Sequence, residues 1–406
     1  MLSPQTIQIV KETAPILEKR GLEITTHFYK RMFTHHPELL NLFNHSNQKQ
    51  GRQPRALANA IYAAALHIDR LEAILPVVEQ IGHKHRSVGV LAEQYPIVGE
   101  NLLHAIKEVL GDAATEEVIQ AWEEAYEVIA DVFIKVEQGM YEEAEKQPGG
   151  WRGFRNFVVT RKVKESDVIT SFYLQPEDGQ PIASFKPGQY ITVKMDIEGE
   201  KYTHLRQYSL SDAPGKDYYR ISVKREDGDE ERAAGIVSTY LHNQVKEGDI
   251  LPISAPAGDF VLNMESELPV VLISGGVGQT PLLSMLNTLV EKQPHRKVIF
   301  IHAAKNGKLH GMRDQVAELE ATNDQVTSFI CYEQPTPEDR EAKNYHKEGF
   351  ITLPWLQEIL PSPQADFYFC GPVPFMKAIN KALKEWGVPE EHRHFEFFGP
   401  AGSLEG

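Results

Sequence analysis

Three groups of residues in this chain have types and spacings that could do chemistry. The first is His85 with Tyr95 and Glu137, in a stretch of helical periodicity. A neutral imidazole is a good axial ligand for haem iron, and its second nitrogen needs an acceptor to orient it. The second is Arg206-Gln207-Tyr208-Ser209, in a run of strand-like alternation. A guanidinium meets a pyrophosphate bidentately, an aromatic ring stacks on an isoalloxazine, and a hydroxyl can reach the reactive edge of a flavin. The third is Gly275-Gly276-Val277-Gly278-Gln279-Thr280-Pro281, between the apolar run Val271-Leu272-Ile273-Ser274 and a helical pattern. Glycines let the backbone approach a pyrophosphate without a Cβ clash, and the helix dipole adds attraction. In chain order, haem, flavin and nicotinamide would form an electron-transfer chain on one polypeptide.

These groups need elements to hold them, and 406 residues are enough for three domains. Residues 1–147 read as helical throughout. Ser3-Pro4 is a helix start, and Ile7, Val10, Ala14 and Leu17 begin a three- and four-residue spacing. Further helical patterns cover 22–33, 55–68, 71–85, 95–110 and 115–145, so an all-α domain of six or seven helices is expected. Pro148-Gly149-Gly150 breaks the last helix, and the apolar period then becomes two. Strand-like runs led by Phe157, Val159, Arg161 and Val163, then at 169–173, 190–195, 207–210, 218–223 and 249–253, predict an antiparallel β-barrel over 151–262. From 268 to 406 apolar strands alternate with helices, which predicts an α/β domain with a parallel sheet.

Bulk composition narrows the function classes. The chain is 41% hydrophobic and 24% charged, as for a soluble protein, and no apolar run nears the length of a membrane span. A net charge of -15 works against nucleic acid and anionic membranes. Two cysteines, Cys331 and Cys370, support neither a disulfide framework nor a thiolate zinc site. Without a basic and apolar leader pattern, a cytoplasmic location is expected. No obligate protein partner is evident, and the expected partners are small molecules.

The run Gly82-His83-Lys84-His85-Arg86-Ser87, then Glu93-Gln94-Tyr95-Pro96-Ile97-Val98-Gly99-Glu100, with Tyr29, Phe43, Gln53 and Leu57 upstream and Phe133 to Glu137 downstream, resembles the globin domain of the bacterial and yeast flavohaemoglobins. The resemblance implies one haem b with His85 as its proximal iron ligand and Lys84 among the haem contacts. Phe43 then packs on the porphyrin at the turn after the third helix, while Tyr29, Gln53 and Leu57 line the distal side. Glu137, held by Tyr95, is the acceptor behind His85. A carboxylate there pushes electron density toward the iron more than a backbone carbonyl would. Tyr29 and Gln53 can donate to a partly anionic oxygen ligand.

The other two regions resemble ferredoxin-NADP reductase-like enzymes, in a globin–barrel–α/β order that matches the flavohaemoglobins over nearly the whole chain. Phe185-Lys186-Pro187-Gly188-Gln189-Tyr190 and the Arg206 to Ser209 tetrapeptide imply one FAD. Arg206 takes the pyrophosphate, Tyr208 the ring face, Ser209 the reactive edge, with Gln207 beside them and Tyr190 packed from a neighbouring strand. Gly235, Val237 and Ser238 fit a helix start that offers N–H groups to phosphate. Gly275, Gly276, Val277, Gly278, Gln279 and Thr280 match the Gly-Gly-x-Gly-x-Thr-Pro turn that takes NADH or NADPH. Cys370, in Phe369-Cys370-Gly371-Pro372, would lie beside the hydride path. In the ending Phe395-Glu396-Phe397-Phe398-Gly399-Pro400, Phe398 would shield the flavin where nicotinamide enters, flanked by Phe397, Gly399 and Pro400.

The implied activity is that of a nitric oxide dioxygenase: NAD(P)H reduces FAD, single electrons pass to the haem iron, and O2 bound there converts nitric oxide to nitrate. Two other readings compete. One is an oxygen carrier or sensor with a built-in haem reductase, and the other a flavin-dependent reductase of small acceptors.

Overall fold

In a computed structural model of the chain, the described residues are 2–44, 48, 50–230, 233–399 and 404. The Cα framework divides into two compact units. One is Met1–Phe154 with Lys194–Arg206 and Gly399–Ala401, and the other is Arg155–Val193 with Gln207–Phe398 and Gly402–Gly406. No described helix is long and apolar enough to cross a membrane.

Five α-helices of 14 or more residues are present in the helical region among the described residues: α1 (Pro4–His35), α2 (Arg52–Leu66), α3 (Leu75–Val88), α4 (Tyr95–Leu110) and α5 (Glu116–Lys146). Short 3-10 turns, and Gln48 in helical conformation, account for the other described helical residues of this all-α region. The main difference is α1, which is continuous where two segments are expected. Ser3 caps it, its hydroxyl accepting from Thr6 N at 3.0 Å, and Pro4 sits in the first turn, where no N–H is needed. Val10, Ala14, Leu17, Gly21, Ile24, Phe28 and Met32 form one unbroken buried stripe. Gly21 serves the crossing with α2, since a Cβ there would come within 3.3 Å of the Ala58 methyl. It packs a helix pair and does not end a helix.

Six strands make the middle region: β1 (Phe154–Lys164), β2 (Ile169–Pro176), β3 (Tyr190–Met195), β4 (His204–Ser209), β5 (Tyr219–Lys224) and β6 (Ile250–Ser254). Their order is β4-β3-β6-β1-β2-β5, with antiparallel registers such as Phe172 opposite Ile221 and Val193 opposite Ile253. Leu210, one residue past β4, bridges Ile221 in β5. That bridge joins the two edge strands, so the sheet closes on itself as the alternating pattern predicts. One helix, α6 (Ile236–Asn243), lies between β5 and β6 in the chain.

The last region carries a parallel sheet of β7 (Val270–Gly275), β8 (Val298–Ala304), β9 (Val326–Tyr332), β10 (Lys347–Glu348), β11 (Asp366–Cys370) and β12 (Arg393–Glu396). Its order is β10-β9-β8-β7-β11-β12, and its helices are α7 (Gln279–Lys292), α8 (Arg313–Thr322), α9 (Pro337–Ala342), α10 (Leu353–Ile359) and α11 (Val373–Glu385). Alternate residues of β7 serve opposite faces. Val270 and Leu272 pack with Leu282 and Leu286 of α7, while Val271 and Ile273 pack with Leu356 of α10 and Ile379 of α11. Each such side chain contributes roughly 1.5–3 kcal/mol by leaving water. Arg296 and Asp366 form a buried ion pair at 3.0 Å, and Asp366 also meets His392 Nδ1 at 2.8 Å. The strand order reverses at β7, which places a crevice outside the carboxyl ends of β7 and β11.

Candidate functional site

His85 stands in the last turn of α3, which ends at Gly89 in the left-handed conformation (φ 88°). The amides of Gly89 and Val90 both donate to the His85 carbonyl at 3.0 Å, which fixes the backbone beneath the imidazole. Tyr95 opens α4 with Pro96 behind it, and Glu137 lies on α5. These elements converge on one oxygen. Glu137 Oε1 is 2.7 Å from His85 Nδ1 and accepts from the Tyr95 hydroxyl, also at 2.7 Å. The Glu137 side chain is 4% exposed, whereas that of His85 is 34% exposed. His85 Nε2 has no hydrogen-bond partner among the described residues. One nitrogen is locked and the other is open, a donor arrangement that fits an axial ligand for haem iron.

Further residues hold this arrangement that the sequence reading did not identify. Tyr126 donates to the Tyr95 carbonyl at 2.6 Å. Its ring lies over Gly99, where any Cβ would overlap it. Burial, and then the nearby Glu137 charge, push the Tyr95 phenol well above its ordinary pKa, so it stays a donor. The Tyr141 phenol, pushed up to about 12 by burial first, donates to the Val90 carbonyl at 2.8 Å. Lys84 donates to the Gly399 carbonyl at 2.6 Å.

Tyr29 is 6% exposed and lies among Phe28, Phe33 and Phe43, with centroids 4.8, 5.7 and 5.7 Å away. Phe43 follows the 3-10 turn Pro37–Asn41 directly after α1, where a third helix is expected before it. Burial raises the Tyr29 pKa, and the side-chain amides of Gln53 and Gln48 beside its hydroxyl oppose the rise. Gln53 is in the first turn of α2, and Leu57 follows one turn later, partly buried against the core. The N-cap of α2 is Gly51, with no side-chain cap, so Gln53 is not used for capping. Gln48 is an addition by the structure: its side-chain amide is buried beside the Tyr29 hydroxyl. A glutamine in a polar stretch gives no signal in sequence.

In β4, Arg206 and Tyr208 share a face and are half-buried, whereas Ser209 is on the other face and buried. Gln207 is exposed. The Tyr190 ring is 5% exposed and lies against Gly258. At α6, Val237 points into the core, and the Ser238 hydroxyl accepts from Glu226 N at 3.1 Å. The backbone N–H groups of this uncapped start, after Gly235, are free of a side-chain cap and can meet an anion.

The glycine turn runs from β7 into α7. Gly276 has φ 56°, a conformation that other residues adopt at a cost, and a Cβ on Gly278 would overlap the Cys370 carbonyl. Gly275 lies against the Phe375 ring. Thr280 donates to the Val277 carbonyl at 3.1 Å. The side chain of Gln279 is buried and directed to the Gly311 carbonyl, 3.0 Å from Nε2. Cys370 is fully buried at the end of β11, its thiol directed to the Glu396 carbonyl and pushed well up in pKa by burial. The turn, glycine at three of its four positions and backed by β11, fits a pyrophosphate. Phe397 packs on the sheet core, Phe398 is 45% exposed, and Pro400 lies outside the described residues.

Comparison with known proteins agrees with this division of labour. Family profiles match in chain order: Globin over residues 26–133, Oxidoreductase FAD-binding domain over 156–262 and Oxidoreductase NAD-binding domain over 272–381. The flavohemoprotein of Bacillus thuringiensis subsp. konkukian is 64% identical over 405 residues and covers 100% of both chains. That of Bacillus subtilis is 54% identical over 404 residues, covering 100% of this chain and 99% of its own. Among solved structures, the flavohemoglobin from Malassezia yamatoensis with bound FAD and heme aligns with a TM-score of 0.84 at 26% identity, over 98% of this chain and 100% of that one. The flavohem-like FAD/NAD binding domain of nitric oxide dioxygenase from Vibrio cholerae aligns with a TM-score of 0.56 at 42% identity, over 61% of this chain and 100% of that one. The chain is an oxidoreductase that belongs to the flavohemoprotein family, with a globin domain followed by FAD-binding and NAD-binding domains.

Proposed function

We propose that this oxidoreductase is a nitric oxide dioxygenase that uses NAD(P)H and O2 to turn nitric oxide into nitrate. The observation that carries the reading is the buried Glu137 carboxylate shared by His85 and Tyr95. The name of the Vibrio cholerae relative supports the same activity. When bound, haem b supplies the iron at which O2 and nitric oxide combine, and FAD supplies a ring that accepts hydride from NAD(P)H and releases electrons singly.

The chain's own residues take these parts. His85 would hold the haem iron through Nε2, while Glu137 accepts from its Nδ1–H, which fixes the tautomer and makes the imidazole a stronger electron donor. Tyr95 keeps the carboxylate in place. Tyr29, protonated at neutral pH because of its burial, donates toward negative charge on an oxygen ligand, with Gln53 as its partner. Leu57 and Phe43, partly buried against the core, would line the haem pocket. Arg206 would meet the FAD pyrophosphate, the N–H groups after Gly235 would offer donors to phosphate, Tyr208 would face the ring and Ser209 would serve its reactive edge. Gly275 to Thr280 would hold the pyrophosphate of the nicotinamide donor.

The test uses the full chain loaded with both cofactors. Rapid loss of nitric oxide that needs O2 and NAD(P)H together, and disappears in His85→Ala, is expected. Reversible O2 binding without nitric oxide loss would point to a carrier or sensor. Reduction of flavins or quinones as the main activity, unchanged in His85→Ala, would point to a plain reductase.

A further inference from the structure

We propose that a closed circuit of side chains, Asp212–Asn287–Gln315–Arg220, sets the angle at which the NAD-binding domain meets the FAD-binding domain and so aligns the hydride donor with the flavin. The inference rests on the reading that Tyr208 and Ser209 serve the flavin and that the glycine turn takes the nicotinamide donor. Asp212 and Arg220 belong to the FAD-binding domain and Asn287 and Gln315 to the NAD-binding domain, and all four lie in one compact unit.

The circuit closes step by step. Asn287 Nδ2 donates to Asp212 Oδ1 at 2.7 Å, Gln315 Nε2 to Asn287 Oδ1 at 3.1 Å, and Arg220 Nη1 to Gln315 Oε1 at 3.2 Å. Arg220 Nη1 is in turn 3.9 Å from Asp212 Oδ2, which completes it. Each amide donates at one end and accepts at the other, so each has one orientation. The charged members are also held from behind: Tyr218 donates to Asp212 Oδ2 at 2.7 Å, and Arg220 Nε to the Ser211 hydroxyl at 3.0 Å. Arg220 and Asn287 are 5% and 7% exposed. Burial works against the charge on Asp212, but the Arg220 guanidinium and the hydrogen bonds it accepts hold its carboxyl below the usual range.

Its position suits this task. Asp212 is three residues past Ser209, where the flavin tetrapeptide and β4 end, and Ser211 N donates to the Arg220 carbonyl at 2.8 Å beside the bridge that closes the barrel. On the other side Ser284 and Asn287 share a face of α7, the helix that begins directly after the glycine turn. The Ser284 hydroxyl donates to the Asp212 carbonyl at 2.7 Å, so α7 grips both the backbone and the side chain of Asp212. Other contacts here set no angle. Met285 lies against Gly188, an apolar contact without direction, and the Lys216–Glu291 pair at 2.6 Å is partly exposed. Hydrogen bonds weaken steeply when bent, and a buried ion pair suits the fixing of register more than stability. Domains of one chain move against each other by default, and a misplacement of about 1 Å far from the chemistry can cost about 10²-fold in rate.

The test uses the full chain loaded with both cofactors and the variants Asn287→Ala and Gln315→Ala, the second at a less buried position in case the first does not fold. Stopped flow reads the limiting rate of flavin reduction by NAD(P)H and the long-wavelength charge-transfer absorbance between nicotinamide and flavin, and calorimetry reads the affinity for the oxidised dinucleotides. The limiting rate should fall about ten- to hundredfold and the charge-transfer absorbance shrink, while dinucleotide affinity and FAD content stay within about twofold of the wild type. The double variant should lose no more than the worse single one, because both residues act through one circuit. An unchanged limiting rate and absorbance, or rate losses that multiply in the double variant, would overturn the proposal. So would a loss of dinucleotide affinity or FAD that matches the loss of rate, since the circuit would then merely support the binding sites. No flavin reduction by either donor in the wild type would overturn the reading of the glycine turn and this inference with it.

Discussion

The shared Glu137 oxygen makes a prediction in which two conservative substitutions move one observable in opposite directions. Glu137 Oε1 takes hydrogen bonds from His85 Nδ1 and Tyr95, both at 2.7 Å, in a site where the carboxylate is almost wholly buried. Glu137→Gln keeps the shape and an acceptor oxygen but removes the charge. A hydrogen bond to an ionised group contributes about 1.5–3 kcal/mol against about 0.5–1.5 for a neutral one, so the His85 contact should weaken by roughly 1 kcal/mol. Tyr95→Phe removes the competing donor and leaves the charge, so the same contact should strengthen. The assay is the iron–histidine stretch of the ferrous, ligand-free protein by resonance Raman spectroscopy. It should fall in Glu137→Gln and rise in Tyr95→Phe. Shifts of the same sign in both variants, or none in either, would refute the idea that the shared carboxylate sets the imidazole's basicity.

Tyr29→Phe should speed O2 dissociation about two- to thirteenfold, the loss of one hydrogen bond of about 0.5–1.5 kcal/mol, measured by stopped flow. An unchanged rate would mean that Tyr29 does not face the ligand. Gly278→Ala should abolish flavin reduction by NAD(P)H while leaving the haem spectrum intact, because its Cβ meets the fixed Cys370 carbonyl. Asp366→Asn should destabilise the second unit by about 3–5 kcal/mol in urea, since it leaves the buried Arg296 charge without its partner. His302 is fully buried, and burial pushes its pKa down to about 3. The folded state therefore binds its proton less readily than the unfolded chain, whose histidine titrates near about 6.5. Its contribution is complete above that value and should be lost toward pH 3 at up to about 1.4 kcal/mol per pH unit. The urea midpoint of His302→Gln should fall less steeply with pH than that of the wild type, and equal slopes would count against the assignment.

Residues whose roles depend on local pattern were legible in the sequence. The spacing of Val10, Ala14 and Leu17 and the β3 run Tyr190–Met195 appear as predicted, because side-chain period follows directly from backbone geometry. The glycine turn was legible from its contiguous motif, although only Gly276 meets a demand of its own backbone, its positive φ, whereas Gly278 is required by the distant Cys370 carbonyl. Gly21 was harder: its role depends on Ala58 in another helix, and a glycine in a helical run resembles a terminator until the crossing is seen. Tyr126 and Gln48 carried no signal, because each matters only through a partner distant in the chain.

The sequence alone therefore determined the element types, their order and the family, which depend on periodicity and on motifs contiguous in the chain. Only tertiary structure decided that His85, Tyr95 and Glu137 meet at a single oxygen and that His85 keeps its other nitrogen open. It also decided which side chains of the cofactor motifs face inward. Val237, Ser238, Gln279 and Cys370 lie in matching motifs, yet their side chains are buried, so any cofactor contact there falls to the backbone or to neighbours. The physical reason is that a motif fixes a backbone path, whereas burial and hydrogen-bond partners are set by segments packed from elsewhere in the chain.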